Sequence, residues 1–590
     1  MSITQKIHLA ILASVVALTA CSTNNSSYTE LGIKCQASPI TGQSDKEISG
    51  LKLVGTSIAD AEFDSSAAEI VSYDSCTDKI YVVNSQASRV DVLSLDERGM
   101  PAHTGSIALE AAGNAAGVPI GAANSVATHN GLIAVAIENA EKQQDGIIAL
   151  YRSDTLELLA TYPAGALPDM VGISKDGKYI ATANEGEPNS DYTVDPEGSI
   201  TIVDISKSVM NGKVHQIGFK EFNEGEARHY ELDPNVRISG PNASVAQDLE
   251  PEYLTFTDNG KLYVALQENN ALAAIDLETK RVESIYGLGG KPWATYELDA
   301  SNKDKKIGNF KSYPMLEGLY MPDTIDSFTI NGQSYIISAN EGDGREYGFD
   351  TTQSVCNERG FDWDEDDLSG TEKYFTEEGF CIAYVDETRG KKLKIAPEHP
   401  LAEQLQDKKA LGRLKVVNDK MVRKDEPVYA YGARSFSIWD EKGNLIFDSG
   451  DTIGKVAFAS DGKYFNSTND NNNSGDDRSD DKGTEPEAIE TASINGQQYV
   501  FVGLERHGGI MVFDVTQPSR SQFVTFANNR SFGTDVCTET DDGDCDNGAY
   551  NPGAGDLGPE SINYFQRNGK HYLAVGNEVS GTTSVFQIEF

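Results

Sequence analysis

The stretch ALPDMVGISKDGKYIATANEGEP, residues 166–188, contains the pattern that decides the fold. An acid directly after a proline, Asp169, opens a short apolar strand, and the pair Asp176 and Gly177 is typical of a tight hairpin. A second strand of small and β-branched residues follows and ends at Glu185. A third strand, SITIVDI at 199–205, comes next, so this unit predicts a small antiparallel sheet.

The same unit recurs seven times along the chain. Its opening positions are Glu69, Asn124, Asp169, Glu252, Asp323, Glu487 and Glu560. Its second strands end near Ser85, Glu138, Glu185, Glu268, Glu341, Glu505 and Glu578. Four antiparallel strands per unit, repeated radially, predict an all-β protein with a seven-bladed β-propeller. Eight blades are the alternative if the stretch around 414–431 forms a blade of its own.

The two ends of the repeat indicate how the ring closes. The last unit stops after its third strand at Phe590, and an unassigned strand at 51–58 precedes the first unit. That strand can supply the missing fourth strand, which removes the free sheet edges of an open array. We therefore expect one propeller domain over 49–590. Its fifth blade is interrupted by 342–430, which we expect to form a loop-and-helix cap with an amphipathic helix at 400–415.

The acids of the repeat fall on one face of the predicted ring. The first strand of a blade lies at the central channel and the second runs back beside it, so the two acid positions meet at one mouth. Hard cations such as calcium bind roughly six to eight oxygens, which suits converging carboxylates. Calcium is therefore the expected cofactor. Besides Glu69 and Glu138, the predicted ligands in this ring are Asp169, Glu185, Glu252, Glu268, Asp323, Glu341, Glu487, Glu505, Glu560 and Glu578.

Other roles for these acids are also consistent with the pattern. They could cap turns by accepting backbone N–H bonds, or pair with Arg345, Arg434 and Arg506. Asn124 and Ser85 interrupt the series of acids, although each still offers an oxygen. A ring of metal ligands and a set of turn caps and ion pairs therefore both remain as hypotheses for these acids.

The segment DNNNSGDDRSDD, residues 470–481, has the spacing of an EF-hand loop. Asp470, Asn472 and Ser474 would occupy positions one, three and five, and Asp481 position twelve. The flanking helices are missing from the pattern, so a solvated acidic loop is the alternative. We add Asp470, Asn472 and Asp481 to the predicted metal ligands.

Charge restricts the class of partner. The chain has 590 residues, 91 Asp and Glu against 49 Lys and Arg, and a net charge of −42. This argues against nucleic acid and anionic membrane surfaces. The 39% hydrophobic content excludes a disordered chain. We expect metal ions as partners, and a protein or glycan ligand at the acidic face. The acidic run at 362–367 belongs to the predicted cap, and the 537–545 loop is interpreted as a surface feature, with calcium binding there as the alternative.

The N-terminus is typical of a bacterial lipoprotein signal over residues 1–20. Lys6 and His8 precede an apolar run, and LTAC at 18–21 matches a lipobox, so Cys21 would carry the lipid. The polar segment 21–48 would be a flexible tether. We expect the lipid to be the chain's membrane contact in the cell envelope, and Ser22 favours the outer membrane. An ordinary secretory signal with a chance cysteine is the alternative.

The other six cysteines form an even set suited to an oxidising compartment. Six cysteines allow fifteen connectivities, and proximity along the chain favours Cys35–Cys76, Cys356–Cys381 and Cys537–Cys545. A metal–thiolate site is disfavoured, because no CxxC is present and the cysteines lie in three distant zones.

Nucleophilic catalysis has little support in the sequence, which has no GxSxG, HExxH or P-loop motif. His507, beside Glu505 and Arg506, is the histidine most worth testing, although a lone histidine is commonly structural. A metal-dependent phosphoesterase could dispense with histidine. Its acids would hold calcium, and Arg345, Arg434 or Arg506 would bind phosphate.

Several of these motifs resemble the choice-of-anchor I family of β-propellers. They include the stretch at 166–188, DLEPEYLTFTDNGKLYVALQENNALAAIDL, MPDTIDSFTINGQSYIISANEGD, GARSFSIWD and VGLERHGGIMVFDV, and the resemblance covers roughly residues 50 to 590. It implies a secreted or surface protein whose anchor differs among members. Some members carry an alkaline phosphatase label, and others resemble a mesenchymal cell-surface glycoprotein, but no catalytic residue carries over.

Together these features predict a lipid-anchored, calcium-binding envelope propeller with a binding or adhesion role. The alternative is a calcium-dependent phosphoesterase that works at the carboxylate ring. The two differ in whether the ring turns over a phosphate ester or holds a ligand.

Overall fold

The computed structural model describes residues 32–33, 35, 46–363, 378–541, 544–545 and 548–590. Strands dominate these residues, and seven of their sheets have four antiparallel strands each. We number these sheets as blades one to seven in chain order. The prediction of an all-β propeller is confirmed.

The first four blades follow one another without interruption. Blade one consists of Val71–Asp74, Lys79–Asn84, Arg89–Leu95 and Pro101–Ala108. Blade two consists of Ile120–His129, Leu132–Asn139, Asp145–Arg152 and Leu158–Ala166. Blade three consists of Pro168–Ile173, Tyr179–Asn184, Ser199–Asp204 and Lys213–Gly218. Blade four consists of Leu254–Phe256, Lys261–Leu266, Ala271–Asp276 and Arg281–Gly287.

The last three blades contain the long insertion and the junction of the chain ends. Blade five consists of Ile325–Ile330, Gln333–Asn340, Ser435–Asp440 and Leu445–Asp448. Blade six consists of Pro486–Ile494, Gln497–Leu504, Ile510–Asp514 and Gln522–Ala527. Blade seven consists of Pro559–Arg567, Lys570–Asn577, Thr582–Glu589 and the N-terminal strand Gly50–Ile58.

The blades form a closed ring. The first strand of each blade contacts the first strand of the next, and the first strand of blade seven contacts that of blade one. Gly50–Ile58 pairs antiparallel with Thr582–Glu589, so the predicted N-terminal strand completes the last blade. Pairing of the two chain ends leaves no open edge at the junction.

Both faces of the blades are buried, because neighbouring blades pack against each other. In blade three, Ile180 packs with Val171 against Ile148 of blade two. The next residue along the strand, Ala181, points to the opposite face and packs in the core shared with blade four. Successive residues of a strand therefore pack in two different cores, which explains why the second strands are largely apolar.

Asn-Gly turns fix the register of four blades. They join the first and second strands of blades two, five, six and seven, at Asn130–Gly131, Asn331–Gly332, Asn495–Gly496 and Asn568–Gly569. Both residues of each pair have positive φ, near +50° for the asparagine and between +72° and +85° for the glycine. These angles are those of a type I′ turn, whose twist matches that of the flanking strands.

The insertion, together with the segment between blades four and five, forms two further sheets. One has three strands, Glu346–Thr352, Asp362–Trp363 and Glu378–Val385. The other has five strands, Gly290–Pro292, Leu316–Leu319, Val428–Ala430, Lys415–Val417 and Glu387–Arg389. The stretch around 414–431 therefore belongs to a side sheet, and blades four and five still contact each other through their first strands.

The helix predicted at 400–415 is wrong in its length. The helix observed there is Ala402–Gln406. Beyond it the Leu411 amide donates to the Gln404 carbonyl, and the chain turns so that Leu405, Leu411 and Leu414 enter one small core. Lys415 then pairs with Arg389 in the side sheet, which requires extended backbone. The remaining α-helices among the described residues are Glu110–Ala116, Val245–Asp248, Gln353–Arg359 and Thr452–Asp461.

The three predicted disulfides, Cys35–Cys76, Cys356–Cys381 and Cys537–Cys545, are all formed. The first ties the N-terminal segment to blade one, the second fastens the three-stranded sheet of the insertion, and the third closes a short loop before blade seven. Within the described part of the chain, no helix is long and apolar enough to cross a membrane.

Candidate metal centre

Twelve carboxylates line one cavity of about 450 Å³, which we call the acid cavity. They are Glu69, Glu138, Asp169, Glu185, Glu187, Glu252, Asp323, Glu341, Asp343, Glu487, Glu505 and Glu560. Ten of them are predicted ring positions. Glu187 and Asp343, each two residues after a ring acid, were missed because they lie beyond the repeat that defined the ring.

Strand register explains why the acids converge. Pro168 pairs with Asn184, Pro486 with Leu504 and Pro559 with Asn577. In each blade the acid that follows the proline therefore lies beside the acid that follows the second strand. The register shifts immediately afterwards, at a β-bulge or similar irregularity. Bulges re-aim side chains at the ends of sheets, and here they fall at the acid positions.

The residue before the proline is strained in several blades. Leu167, Met321 and Glu485 have φ of 47°, 43° and 51°, a left-handed conformation that is unfavourable for residues with a Cβ. Each precedes a proline, which further restricts its backbone. Strain of this kind, about 1–3 kcal/mol per residue, is concentrated at functional sites. In blade seven a glycine, Gly558 at φ 67°, occupies the same position without this cost.

One arc of the acid cavity is neutralised by the chain's own cations. Lys482 Nζ lies 2.6 Å from Glu341 Oε1 and 3.6 Å from Glu485 Oε2. Arg506 Nε lies 3.1 Å from both Glu485 Oε2 and Glu505 Oε2. Arg478 Nη2 lies 2.6 Å from Glu485 Oε1. Burial alone would raise the pKa of Glu485, but Arg478, Lys482 and Arg506 hold it well below its usual range.

Other acids of the cavity have few partners for their charge. Among the described residues no side chain donates a hydrogen bond to Asp169 or Glu185, and one carboxylate oxygen of Glu252 and one of Glu487 have no donor. Glu487 is only 8% exposed. Ser125, 1% exposed and in the cavity wall, has a hydroxyl oxygen without a partner in the described chain. Buried oxygens without donors are unfavourable unless something else binds them.

Burial and mutual repulsion raise the pKa of these acids. Desolvation, followed by Glu187, raises the pKa of Asp169 to about 7. Desolvation raises the pKa of Glu69 and of Glu505 to about 8. For Glu252 and Glu487 the pKa is raised well above the usual range, first by burial and then by neighbouring acids. A bound cation would reverse these shifts by stabilising the ionised carboxylates.

The other predicted ring members lie around this cavity with partners of their own. Glu578 accepts a hydrogen bond of 2.6 Å from Ser66, and Glu268 interacts with Arg345; neither lines the cavity wall. Ser85 donates to Glu69, so it serves an acid and does not replace one. Asn124 lines the cavity and donates to the Pro168 carbonyl at 3.2 Å, which leaves its amide oxygen available.

Two of the three predicted phosphate-binding arginines are committed elsewhere. Arg345 is buried and donates to Glu250, to Ser239 and to the Asp248 carbonyl. Arg434 donates to the carbonyls of Asp299 and Ser479. Arg506 lines the acid cavity, so it is the candidate that the structure places there.

The segment at 470–481 does not have the geometry of an EF-hand loop. Asn472 accepts from Arg530 at 2.7 Å, so a guanidinium occupies the oxygen expected to bind calcium. Asp481 lies 3.0 Å from Arg478, and Asp470 accepts from Thr468. The three side chains thus have separate partners. Arg478 of this segment contacts Glu485, and Lys482, the residue directly after the segment, contacts Glu341 in the cavity wall.

Several further predictions concern other parts of the chain. His507 is fully buried, contacts Phe526 and Phe532 and does not line the acid cavity. The signal at 1–20, Cys21 and most of the tether at 21–48 lie outside the described residues, as do positions 364–367 of the acidic run at 362–367 and parts of the 537–545 loop.

The chain is similar to a curated cell-surface protein over part of its length. A curated relative, the mesenchyme-specific cell surface glycoprotein of Strongylocentrotus purpuratus, is 26% identical over 330 residues. That alignment covers 52% of this chain and 41% of the relative, so the chain spans well under half of that protein.

Among solved structures, Kuenenia stuttgartiensis hydrazine synthase aligns with a TM-score of 0.43 at 11% identity, covering 90% of this chain and 97% of that one. The Swd1 β-propeller domain of Myceliophteria thermophila aligns with a TM-score of 0.40 at 7% identity, covering 92% and 100%. The model of the choice-of-anchor I domain matches residues 69–518, about three quarters of the sequence. The chain therefore belongs to the choice-of-anchor I family.

Proposed function

We propose that the chain is a binding protein of the cell envelope whose propeller holds calcium in the acid cavity. One observation carries the proposal: twelve carboxylates line the cavity, against the three cations Lys142, Lys482 and Arg506. Such an excess of acids around one cavity is unfavourable in the absence of a bound cation.

The chemistry of the wall favours calcium over a transition metal. The lining residues offer carboxylate, amide and hydroxyl oxygens, and none of those described is a histidine or a cysteine. Calcium accepts roughly six to eight oxygens in flexible geometry, whereas zinc and copper sites use nitrogen and sulfur. The unpartnered oxygens of Glu252, Glu487 and Ser125 would then become ligands or hydrogen-bond acceptors of its water shell.

An envelope location is supported by the family and by the relative. The family name refers to surface attachment through varied anchors, and the relative's name describes a cell-surface glycoprotein. Three disulfides are consistent with an oxidising compartment. In our proposal Cys21 carries the lipid, and the outer membrane is the preferred site. The bound calcium would bridge to a ligand rich in hydroxyl or carboxylate oxygens, such as a glycan or an acidic protein surface.

A calcium-dependent phosphoesterase is the second candidate. Arg506 favours it, because this arginine lines the cavity among the acids. Its guanidinium is already bound to Glu485, Glu505 and Asn469, which leaves little capacity for a phosphate. An assay of aryl phosphate hydrolysis by the purified chain, with and without calcium, distinguishes the phosphoesterase from the binding protein. Turnover that requires calcium and is lost in Arg506→Met would replace the binding role with the enzyme.

Thermal denaturation tests the proposed calcium site. EDTA should lower the melting temperature of the full chain and calcium should restore it, because a ligand that binds the folded form stabilises it by mass action. The variant Glu185→Gln/Glu252→Gln should lose most of this response. The matched control, Glu97→Gln/Glu224→Gln, removes two exposed acids and should respond like the unmodified chain. Identical responses in both variants would contradict the assignment.

A further inference from the structure

The buried cluster Glu341, Glu485 and Glu505 has the spacing of a metal site. One carboxylate oxygen from each residue lies within 4.8 Å of the other two, the separation of ligands around a single cation. It is the one group of three or more such ligands that close in the described part of the chain. Glu341 and Glu505 follow the second strands of blades five and six, and Glu485 precedes the first strand of blade six.

A lysine side chain is inserted into this cluster. Lys482 is 7% exposed, and its ammonium contacts Glu341 at 2.6 Å and Glu485 at 3.6 Å. It also contacts Asp343 at 3.1 Å. The ammonium therefore neutralises two of the three carboxylates, and Arg506, whose Nε lies 3.1 Å from both Glu485 and Glu505, neutralises the third. The loop that carries Lys482 also supplies Arg478 to Glu485, so two cations of this loop serve as internal counter-charges for the cluster.

Several other acids of the cavity lack a partner in direct contact. Asp169, Glu185, Glu252 and Glu487 keep carboxylate oxygens without donors among the described residues. Glu487 supplies the independent indication of a ligand, because its unpartnered oxygen belongs to a side chain that is more than nine-tenths buried in the cavity wall.

We propose that Lys482 occupies a divalent-cation site built by Glu341, Glu485 and Glu505, and thereby confines metal binding to other acids of the acid cavity. These acids are Asp169, Glu185, Glu252, Asp323, Glu487 and Glu560, of which Asp323 lies beside Glu341 and Glu487 lies beside Glu505. The second half of this inference rests on the proposed calcium function. The first half concerns the lysine alone and stands independently of whether the native chain binds calcium.

Replacement of the lysine tests the first half. Lys482→Met keeps the length of the side chain and removes its charge, so calcium should bind at Glu341, Glu485 and Glu505. Equilibrium dialysis of the full chain against calcium should then show about one more bound ion per chain than the unmodified protein. Adding Glu341→Gln/Glu505→Gln to Lys482→Met should abolish the extra ion. Lys482→Arg keeps the charge and should bind no extra calcium.

Failure of Lys482→Met to fold without metal is also informative, because it leaves buried carboxylates unpaired. In that case calcium should restore the folded chain, whereas magnesium, which dehydrates reluctantly, should do so poorly. No extra ion in a folded variant, or no rescue of an unfolded one by calcium, would overturn the inference.

The second half is tested in the chain that retains Lys482. Glu185→Gln/Glu252→Gln should weaken calcium binding by about tenfold or more, whereas Glu341→Gln/Glu505→Gln should change it little. Equal losses in the two variants would contradict the exclusion of metal from Glu341 and Glu505. Absence of calcium binding in the unmodified chain would overturn both this half and the proposed function, while the Lys482→Met result would still decide the first half.

Discussion

At the scale of single residues, the acid positions depend on a short motif: a strained residue, a proline and an acid. Leu167, Met321 and Glu485 occupy the strained position, and Asp169, Asp323 and Glu487 follow as the acids. The acids could be predicted from the sequence because they recur at a fixed place in each repeat. The strain and the bulges could not, because residue types such as leucine, methionine and glutamate specify neither a left-handed backbone nor a shift of register.

The ion pairs at the site could not be predicted from the sequence either. The sequence around Lys482 does not indicate that its ammonium contacts Glu341, a residue 141 positions away. Nor does the sequence around Arg345 indicate that it pairs with Glu250. The EF-hand-like spacing at 470–481 was misleading for the same reason. Its side chains have long-range partners such as Arg530, and a spacing rule does not include these.

Neutralising Glu487 should have opposite effects with and without calcium. Glu487→Gln replaces a buried carboxyl, whose ionised form is disfavoured by burial and by neighbouring acids, with a neutral amide, so the EDTA-treated chain should be stabilised by about 1 kcal/mol or more. The same change removes a proposed ligand, so the stabilisation by calcium should shrink. Melting temperatures in EDTA and in calcium measure both effects, with the exposed Glu97→Gln as the control. Destabilisation in EDTA would contradict this account of the residue.

At the scale of elements, the insertion in blade five is attached to the rest of the molecule by buried charge. Arg345, just after the second strand, donates to Glu250, just before blade four. Arg237, before blade four, lies 2.8 Å from Asp386 of the insertion. The insertion and its disulfide were predictable from the broken repeat and cysteine spacing. Its sheets were not, because their strands are short and pair with segments far along the chain.

Removing Arg345 should destabilise the chain strongly. Arg345→Met leaves Asp248 and Glu250 buried without their cation, a change that typically costs about 3–5 kcal/mol. Urea unfolding should show a lower midpoint, and adding Glu250→Gln should restore part of it. The control Arg98→Met breaks an exposed pair and should cost about 1 kcal/mol or less. Equal effects of the two single substitutions would contradict a stabilising role of the buried Arg345 ion pairs.

At the scale of the whole molecule, ring closure joins the first and last strands of the propeller. Gly50–Ile58 pairs with Thr582–Glu589 over nearly its whole length. This closure was predictable, because the last unit of the repeat lacks a strand and the first is preceded by one. The net charge of −42 now has a partial explanation in the acids gathered at one cavity.

A chain that begins at residue 59 should fail to close. The exposed edge of Thr582–Glu589 would favour aggregation, since an unpaired edge strand offers free N–H and C=O groups. Light scattering and the cooperativity of unfolding measure this. Because the truncation also removes the Cys35–Cys76 bond, Cys35→Ser/Cys76→Ser in the full chain is the control, with an expected cost of about 2–4 kcal/mol and no aggregation. A soluble, cooperatively unfolding truncated chain would show that closure is dispensable.

Stability of the metal-free chain should fall as pH rises. Glu69 and Glu505 have a folded pKa of about 8, and Asp169 of about 7, all raised by burial above the unfolded values. The folded form therefore binds these protons more tightly, so their stabilising contribution is full below about pH 4 and is lost as pH rises through about 8.

Melting temperatures of the EDTA-treated chain between about pH 5.5 and 8.5 measure how stability changes with pH. The increase in melting temperature produced by calcium should be larger at the higher pH values. Repulsion among surface acids contributes a similar trend. Glu69→Gln/Glu505→Gln is the control that separates the two, because it should flatten the slope. An unchanged slope in that variant would assign the pH dependence to the surface.

The central claim, that the acid cavity is a calcium site, is tested most directly by counting bound metal. The full chain is stripped with EDTA, dialysed against calcium and analysed for its elemental content beside its own dialysate. We expect about one or more tightly held calcium ions per chain, and a clear loss in Glu185→Gln/Glu252→Gln. Calcium no higher in the protein than in the dialysate would contradict the claim.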